Sequence, residues 1–167
     1  ARWLMRDTTI ARNYAEALLM PQSSPITTKW AWWAPDGSAV YYVGQPRDLR
    51  TLTLHRLEPA TGEVTTVLSE TGATRVEPNQ WMTEPPIIRV LADEVLWYSQ
   101  RDGWGHLYRY DLRTGALLGQ VTSGEWAVRQ ILHVDEAARV VYFTTSGLVE
   151  TDPYRRSVCR VGLNSSG

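Results

Sequence analysis

Cysteine is nearly absent from this chain of 167 residues, in which Cys159 is the single thiol. One cysteine cannot form an intrachain disulfide, so a small fold held together by disulfides is excluded. Long apolar runs are missing as well, because no stretch approaches the roughly 20 apolar residues of a membrane-spanning helix. Residues 1–10 also lack the apolar segment of a secretory signal. The sequence therefore predicts a soluble chain without a signal or transmembrane segment, and it leaves the compartment unknown.

Positive charge is not in excess either. The chain has 17 Lys and Arg residues against 18 Asp and Glu residues, which gives a formal net charge of -1 at pH 7, and Lys29 is its single lysine. A domain that binds nucleic acid carries clustered Lys and Arg residues that neutralise phosphates. We therefore expect no nucleic-acid partner.

Apolar and aromatic residues are plentiful. Hydrophobic residues make up 43% of the chain and charged residues 21%, which is the balance of a folded globular protein. Eight Trp and eight Tyr residues accompany one Phe. Trp and Tyr combine a large apolar body with a polar edge, which suits sheets that pack on neighbouring sheets and equally suits a binding rim.

The first 25 residues differ from the rest of the chain. Asp7–Thr9 suit the start of a helix, and apolar residues follow at helical spacing, namely Ile10, Tyr14, Ala17 and Leu18. Pro21 and Pro25 end this pattern. It predicts a short N-terminal helix within residues 1–25, with an irregular segment as the alternative.

From Trp30 onwards the pattern changes to short strands and turns, and the same order of elements recurs. The predicted strands lie at 39–43, 52–57 and 64–68, then at 87–90, 95–98, 107–112 and 117–121, and finally at 129–134, 140–143 and 157–161. Equivalent leucines in the three copies, Leu57, Leu112 and Leu163, are 55 and 51 residues apart. A repeat of roughly 40–50 residues with four strands is typical of a propeller blade.

The repeat predicts an all-β fold after the N-terminal segment 1–25. This fold is a partial β-propeller of about three four-stranded antiparallel blades, at roughly 26–70, 71–124 and 125–167, with the last blade incomplete. A β-sandwich is the main alternative, but the strand-for-strand repetition favours the propeller. Closed propellers have about 4–8 blades, so we expect a fragment of a longer protein. One blade cannot bury both faces alone, so we also expect the isolated chain to self-associate.

Two segments carry a resemblance to a known family. Ser99–Leu112 reads Ser-Gln-Arg-Asp-Gly-Trp-Gly-His-Leu-Tyr-Arg-Tyr-Asp-Leu, and Gln120–Val128 reads Gln-Val-Thr-Ser-Gly-Glu-Trp-Ala-Val. In this order and spacing they resemble the N-terminal β-propeller domain of the dipeptidyl peptidase IV family, serine peptidases of the prolyl oligopeptidase clan. The likeness covers roughly residues 30–163 and is sharpest between 97 and 145.

The resemblance implies a non-catalytic region of a serine exopeptidase. Such a propeller gates and positions peptide substrates for a separate, C-terminal α/β-hydrolase domain of the same parent protein. The family's paired-glutamate segment has no match, since Arg12–Ala17 holds one glutamate and is not that motif. A propeller that serves as a non-enzymatic interaction platform is the alternative, because a fold alone does not determine function.

The chain itself shows no catalytic residues. No serine lies in a Gly-x-Ser-x-Gly nucleophile elbow, since Ser123 and Ser146 each precede a glycine but lack the first one. The three histidines, His55, His106 and His133, fall in three different repeats without the convergent spacing of a metal site. We therefore expect no enzyme activity, no metal and no cofactor in this chain, whereas the parent protein is expected to be a peptidase.

A few residues remain candidates for binding. Asp102 is predicted to bond the backbone of its Asp-Gly turn, and Arg101 is predicted to bridge neighbouring strands, with a tunnel-facing Arg101 as the alternative. Trp126 is predicted to pack between blades. The resemblance implies that the irregular connection 77–86 lies near the substrate pocket, with Trp81 as its candidate substrate-binding residue and simple packing as the alternative.

Overall fold

A computed structural model describes residues 30–78 and 85–164. The predicted N-terminal helix and the candidate residue Trp81 lie outside these described residues. The regular elements within them are eleven β-strands, which confirms the all-β prediction. No helix in this part of the chain has the length and apolar character needed to cross a membrane.

The described residues form two compact units. Unit 1 comprises residues 30–76 and 85–86, and unit 2 comprises residues 77–78 and 87–164. The blade boundaries expected from the repeat stay a prediction.

The sheet of unit 1 contains four antiparallel strands in their order along the chain. They are β1 (Ala31–Trp33), β2 (Val40–Gly44), β3 (Thr51–Leu57) and β4 (Val64–Thr71). Because side chains alternate between the two faces of a strand, Val40 and Tyr42 share a face. Together with Ala31 and Leu57 they form a buried apolar cluster.

The turn between β1 and β2 follows from its Ala-Pro-Asp-Gly sequence. The backbone N–H of Gly37 donates to the carbonyl of Ala34 at 2.8 Å. The carboxylate of Asp36 accepts from the backbone N–H of Ser38 at 3.0 Å. Hydrogen bonds from the backbone and the side chain of Ser38 hold the pKa of Asp36 below its usual value. The side chain of Asp36 thus stabilises the turn that the sequence predicted.

Unit 2 contains two antiparallel sheets. The first has the strand order β5 (Arg89–Val90), β6 (Glu94–Ser99), β7 (His106–Asp111) and β8 (Leu117–Gln120). The second has the order β9 (Ala127–Asp135), β10 (Val140–Ser146) and β11 (Ser157–Gly162). In the described residues this second sheet therefore has three strands, and β11 is one of its two edge strands. Val158 on β11 is 73% exposed, and the self-association of the isolated chain stays a prediction.

Strand β5 is shorter than expected. The sequence predicted a strand at 87–90, but the ladder to β6 includes only Arg89 and Val90. The backbone N–H of Ile87 instead donates to the carbonyl of Pro78 at 2.8 Å. Ile87 and Ile88 are nevertheless buried. The apolar character of these two residues therefore indicates burial and not pairing with a neighbouring strand.

The core of unit 2 lies between its two sheets. The first sheet contributes Leu96, Tyr98 and Leu107, and the second contributes Ile131, Val141 and Phe143, among others. Leu96 and Tyr98 are two residues apart on β6, and Tyr98 pairs with Leu107 on β7. This placement puts all three on one face of the first sheet. The two sheets therefore bury apolar faces against each other, as neighbouring blades do.

A tight turn joins β7 to β8. The carboxylate of Asp111 accepts from the backbone N–H of Thr114 at 2.6 Å and from its hydroxyl at 2.7 Å. These bonds hold the pKa of Asp111 below its usual value. Gly115 follows with a φ of 69°, and Gly62 has a φ of 78° in the corresponding turn of unit 1. Glycine adopts this left-handed conformation without a steric penalty, which explains the Thr-Gly pair in both turns.

An ion-pair network links the two sheets of unit 2. Glu94 on β6 accepts from Arg109 on β7 at 3.3 Å and from Arg139, in the turn before β10, at 2.9 Å. The side-chain oxygen of Asn164 accepts from the same two guanidinium groups at 2.8 and 3.0 Å. The Glu94 side chain is 17% exposed. One carboxylate thus compensates two arginines contributed by different sheets.

Replacing Glu94 with glutamine is expected to lower the free energy of unfolding by about 1–2 kcal/mol, between the values for exposed and buried pairs. The loss arises because Arg109 and Arg139 would stay partly buried without a carboxylate. Urea unfolding of both proteins measures the difference. Glu58→Gln is the matched control, since its pair with Arg56 is more exposed. Equal decreases in the free energy of unfolding for the two variants would show that the network of Glu94 stabilises the fold no more than an exposed ion pair does.

Candidate functional site

The segment with the family resemblance forms the loop between β6 and β7 and the strands on either side. The backbone N–H of Gly103 donates to the carbonyl of Gln100 at 3.0 Å, and Gly103 has a φ of 88°. A turn with this backbone conformation favours glycine. Trp104 follows the turn and is 44% exposed. The Asp-Gly-Trp sequence therefore places a tryptophan at the surface.

Asp102 connects this loop to strands β7 and β8 of its sheet. Its Oδ2 atom accepts hydrogen bonds from the hydroxyl of Tyr108 on β7 and from the side-chain amide of Gln120 on β8, the latter at 3.1 Å. We predicted that Asp102 bonds the backbone of its own turn, and that prediction was wrong. The turn is stabilised by the backbone hydrogen bond from Gly103 to Gln100. The carboxylate of Asp102 instead bonds side chains on the neighbouring strands.

Arg101 packs on the aromatic side chains of β7. Its Nε atom donates to the hydroxyl of Ser99 at 2.9 Å. The guanidinium carbon lies 4.3 Å from the centre of the Tyr108 ring and 5.8 Å from that of Tyr110. A guanidinium at such distances is attracted to the ring face. The arginine thus links the end of β6 to β7.

His106, the first residue of β7, is buried and bonded through both ring nitrogens. Its Nε2 atom lies 2.9 Å from the carbonyl oxygen of Gly124, and its Nδ1 atom lies 3.1 Å from the hydroxyl of Thr122. A carbonyl oxygen only accepts, so Nε2 carries the proton. The hydroxyl of Thr122 also accepts from the backbone N–H of Leu107 at 3.0 Å. Both ring nitrogens are thus used in holding two segments of the chain together.

The other two histidines lie in other sheets. His55 stacks on Tyr42 in unit 1 at 4.9 Å between ring centres, and His133 lies 6.2 Å from Tyr142 in unit 2. Across residues 30–78 and 85–164, no group of three His, Cys, Asp or Glu side chains is placed to hold a metal ion. His55 and His133 thus each pack near a tyrosine ring of the neighbouring strand.

Trp126 lies between the two sheets of unit 2, as predicted from the sequence. Its ring meets that of His106 edge-on at 5.0 Å and stacks on Phe143 at 5.9 Å with an interplanar angle of 8°. The backbone N–H of Val128 donates to the carbonyl of Gly105 at 2.8 Å. The two family segments, 99–112 and 120–128, thus meet where the chain passes from one sheet to the next.

Ser123 and Ser146 are the two serines in the described residues that directly precede a glycine. The hydroxyl of Ser146 lies 2.5 Å from Nε of Arg129, from which it accepts a hydrogen bond. An arginine is always protonated and so cannot activate a hydroxyl as a base. Ser123 is exposed in the connection after β8, and no glycine lies two residues before it. The hydroxyl of Ser146 is therefore bonded to a group that cannot act as its base.

Known proteins with similar folds were found among solved structures. A candidate dipeptidyl aminopeptidase IV from Bacteroides ovatus has a TM-score of 0.64 and 25% identity, and the match covers 81% of this chain and 21% of that one. Dipeptidyl peptidase 4 of Porphyromonas gingivalis has a TM-score of 0.65 at 21% identity, over 78% of this chain and 17% of that one. The latter match bears on the fold alone. Together with the three antiparallel sheets, these matches identify the fold as a partial propeller.

The curated relatives are similar over a shorter segment. Dipeptidyl peptidase 4 of Arthroderma otae is 38% identical over 60 residues, which are 36% of this chain and 8% of that protein. Dipeptidyl peptidase 4 of Trichophyton rubrum is 37% identical over a segment of the same length and coverage. This chain thus matches a small part of each of these relatives. The family profile described as the dipeptidyl peptidase IV (DPP IV) N-terminal region matches residues 10–167. The chain therefore belongs to the dipeptidyl peptidase IV N-terminal region family.

Proposed function

We propose that this chain is the non-catalytic propeller region of a dipeptidyl peptidase IV-like serine exopeptidase. In this proposal it gates and positions peptide substrates for a separate, C-terminal α/β-hydrolase domain. The family match over residues 10–167 carries the proposal. The curated relatives are named as dipeptidyl peptidases, which supports peptides as the substrate class.

The structure supports a scaffolding role for the described residues. The most characteristic side chains of the family segment, Asp102, His106 and Trp126, bond or pack within unit 2. A scaffold of this kind holds loops in fixed positions, and such loops commonly supply the groups that contact a ligand. We therefore place substrate contacts in the connections between strands, with Trp81 in connection 77–86 as the proposed contact residue.

The experiment that tests this function uses the parent enzyme encoded by the full reading frame. We expect a Gly-x-Ser-x-Gly segment in its hydrolase domain and hydrolysis of glycyl-prolyl p-nitroanilide. Trp81→Ala is expected to raise KM with little change in kcat, as for a residue that binds substrate and transition state equally. Trp33→Ala is the control, because Trp33 is 52% exposed on β1.

The outcomes of that experiment separate the two candidate functions. A reading frame without a hydrolase domain, or a full-length protein without peptidase activity, would favour a propeller that serves as an interaction platform. If the enzyme is active and Trp81→Ala has the same KM as the unaltered enzyme, the assignment as a peptidase stands. Trp81 is then not a substrate-binding residue.

The isolated chain of 167 residues is expected to release no p-nitroaniline from glycyl-prolyl p-nitroanilide above the buffer rate. The reason is chemical, since the chain has no nucleophile elbow and the hydroxyl of Ser146 is bonded to an arginine. Absorbance at the product wavelength measures the rate. Activity that survives repurification and is abolished by a serine-directed covalent inhibitor would show that a nucleophile was missed.

A further inference from the structure

Arg89 joins the first strands of the two sheets in unit 2. It lies on β5, where one terminal nitrogen of its guanidinium donates to the carbonyl of Ile88 at 2.8 Å. The other terminal nitrogen donates to the carbonyl of Ile131 on β9 at 2.9 Å. Two bonds to main-chain atoms fix the orientation of the guanidinium plane. Arg89 is therefore held in place by the backbone of neighbouring strands.

The charge of Arg89 is not neutralised by these contacts. Both acceptors are carbonyl oxygens, and no ion pair between Arg89 and a described carboxylate is present, whereas Arg56, Arg109 and Arg139 each pair with a glutamate. Burial lowers the pKa of Arg89 from its usual value, with desolvation as the cause. An arginine nevertheless stays protonated in proteins. Arg89 is thus a partly desolvated positive charge without a carboxylate in the described part of the chain.

The guanidinium also keeps hydrogen-bonding capacity. It has five N–H donors, and the two carbonyls take one donor from each terminal nitrogen. Arg89 is half-buried, so part of this residue is exposed to solvent. A planar fork of donors matches a carboxylate, and charge-assisted bonds of this type are stronger than neutral ones. Partial desolvation strengthens the attraction further.

We infer that Arg89 binds a carboxylate of the peptide substrate, either its C-terminal group or an acidic side chain. The inference rests on the proposed function and adds a preference for anionic peptides. Blades of a propeller surround a central channel, and Arg89 bridges the first strands of two adjacent sheets. A positive charge held in a fixed position between these strands attracts ligands of negative charge through its local electric field.

The direct test is a titration of the isotope-labelled chain with sodium acetate, followed by NMR of the arginine Nε–H groups. Acetate is expected to shift the Arg89 signal with saturation, whereas acetamide and sodium chloride at equal ionic strength are not. Arg113, exposed in the turn after β7, is the internal control. A shift that does not saturate, or that is equal for Arg113 or for chloride, would overturn the inference.

Two variants test the role of the guanidinium. Arg89→Lys keeps the charge but loses the fork, so we expect acetate affinity to fall about tenfold. Arg89→Gln is expected to abolish saturable binding of acetate. Unchanged acetate affinity in either folded variant would overturn the inference. If Arg89→Gln does not fold, the titration of the unaltered chain and of Arg89→Lys decides.

Whether Arg89 binds a substrate carboxylate is also tested in the parent enzyme, with two matched peptides. We expect kcat/KM to be higher for a tripeptide with a free C-terminal carboxylate than for its amide, and Arg89→Lys to reduce this preference. An inactive parent enzyme would refute the proposed function while leaving the acetate result standing. An active enzyme without saturable acetate binding would refute the inference about Arg89 alone.

Discussion

Replacing Trp97 with alanine is expected to lower the free energy of unfolding by about 3–5 kcal/mol, the usual cost of truncating a buried tryptophan. Trp97 lies in the middle of β6, pairs with Tyr108 on β7 and has no exposed surface. Its removal leaves a cavity that neighbouring strands cannot fill without disturbing their ladder. Urea unfolding followed by circular dichroism measures the loss.

Trp104→Ala is the matched control for this experiment. Trp104 is seven positions later in the same hairpin, and 44% of it is exposed. Its truncation is expected to cost about 0.5 kcal/mol, as for other surface substitutions. If Trp97→Ala unfolded at the same urea concentration as the unaltered chain, the side chain would be exposed. The register of β6 would then be wrong by one residue, because such a slip reverses the faces of a strand.

Gly105→Ala is expected to cost about 2–3 kcal/mol, in the upper part of the range for an overpacked core. A Cβ atom at this position would overlap the hydroxyl and ring atoms of Tyr98. Tyr98 is fully buried in the core of unit 2, and its ring is rigid, so it cannot move aside cheaply. The steric demand explains the second glycine of the Gly-Trp-Gly sequence. Thermal or urea unfolding tests it.

Two further variants separate this steric effect from backbone strain. Gly103→Ala places a Cβ atom where nothing lies within 4 Å, so its cost comes from the φ of 88° and is expected to be about 1 kcal/mol. Tyr98→Leu removes the phenol, so the double variant with Gly105→Ala should be less destabilised than the sum of the single ones. Additive losses would show that the two residues are not in contact.

The loss expected for the Glu94 variant is smaller because water still reaches the ion pairs. Glu94 and Arg109 are 17% and 14% exposed at their side chains. Solvent screening at such positions reduces the net value of a charge pair below that of a fully buried one. Packing of Trp97 and Gly105 therefore has the larger expected effect on stability.

Much of the candidate site was predictable from local sequence, but its bonds were not. The Asp-Gly turn before Trp104 and the strand beginning near His106 follow from residue type and alternation. The partners of Asp102 and His106 do not, since they lie 6 to 18 residues away along the chain. The alternation of apolar and polar residues along a strand does not tell which polar atoms of different strands or loops come into contact. The close approach of Tyr98 to Gly105, which leaves no room for a Cβ atom there, was missed for the same reason.

The sequence alone determined the all-β class, the repeated order of strands and the positions of the turns. Two motif segments also indicated the dipeptidyl peptidase IV family. These features depend on alternation with a period of two and on residues that favour particular turns, both of which are local properties. The tertiary structure decided that β5 comprises two residues, that Glu94 serves two arginines, and that Arg89 is bonded to carbonyl oxygens. Such features depend on which groups different strands bring together in a region of low dielectric, where most buried polar atoms are hydrogen-bonded.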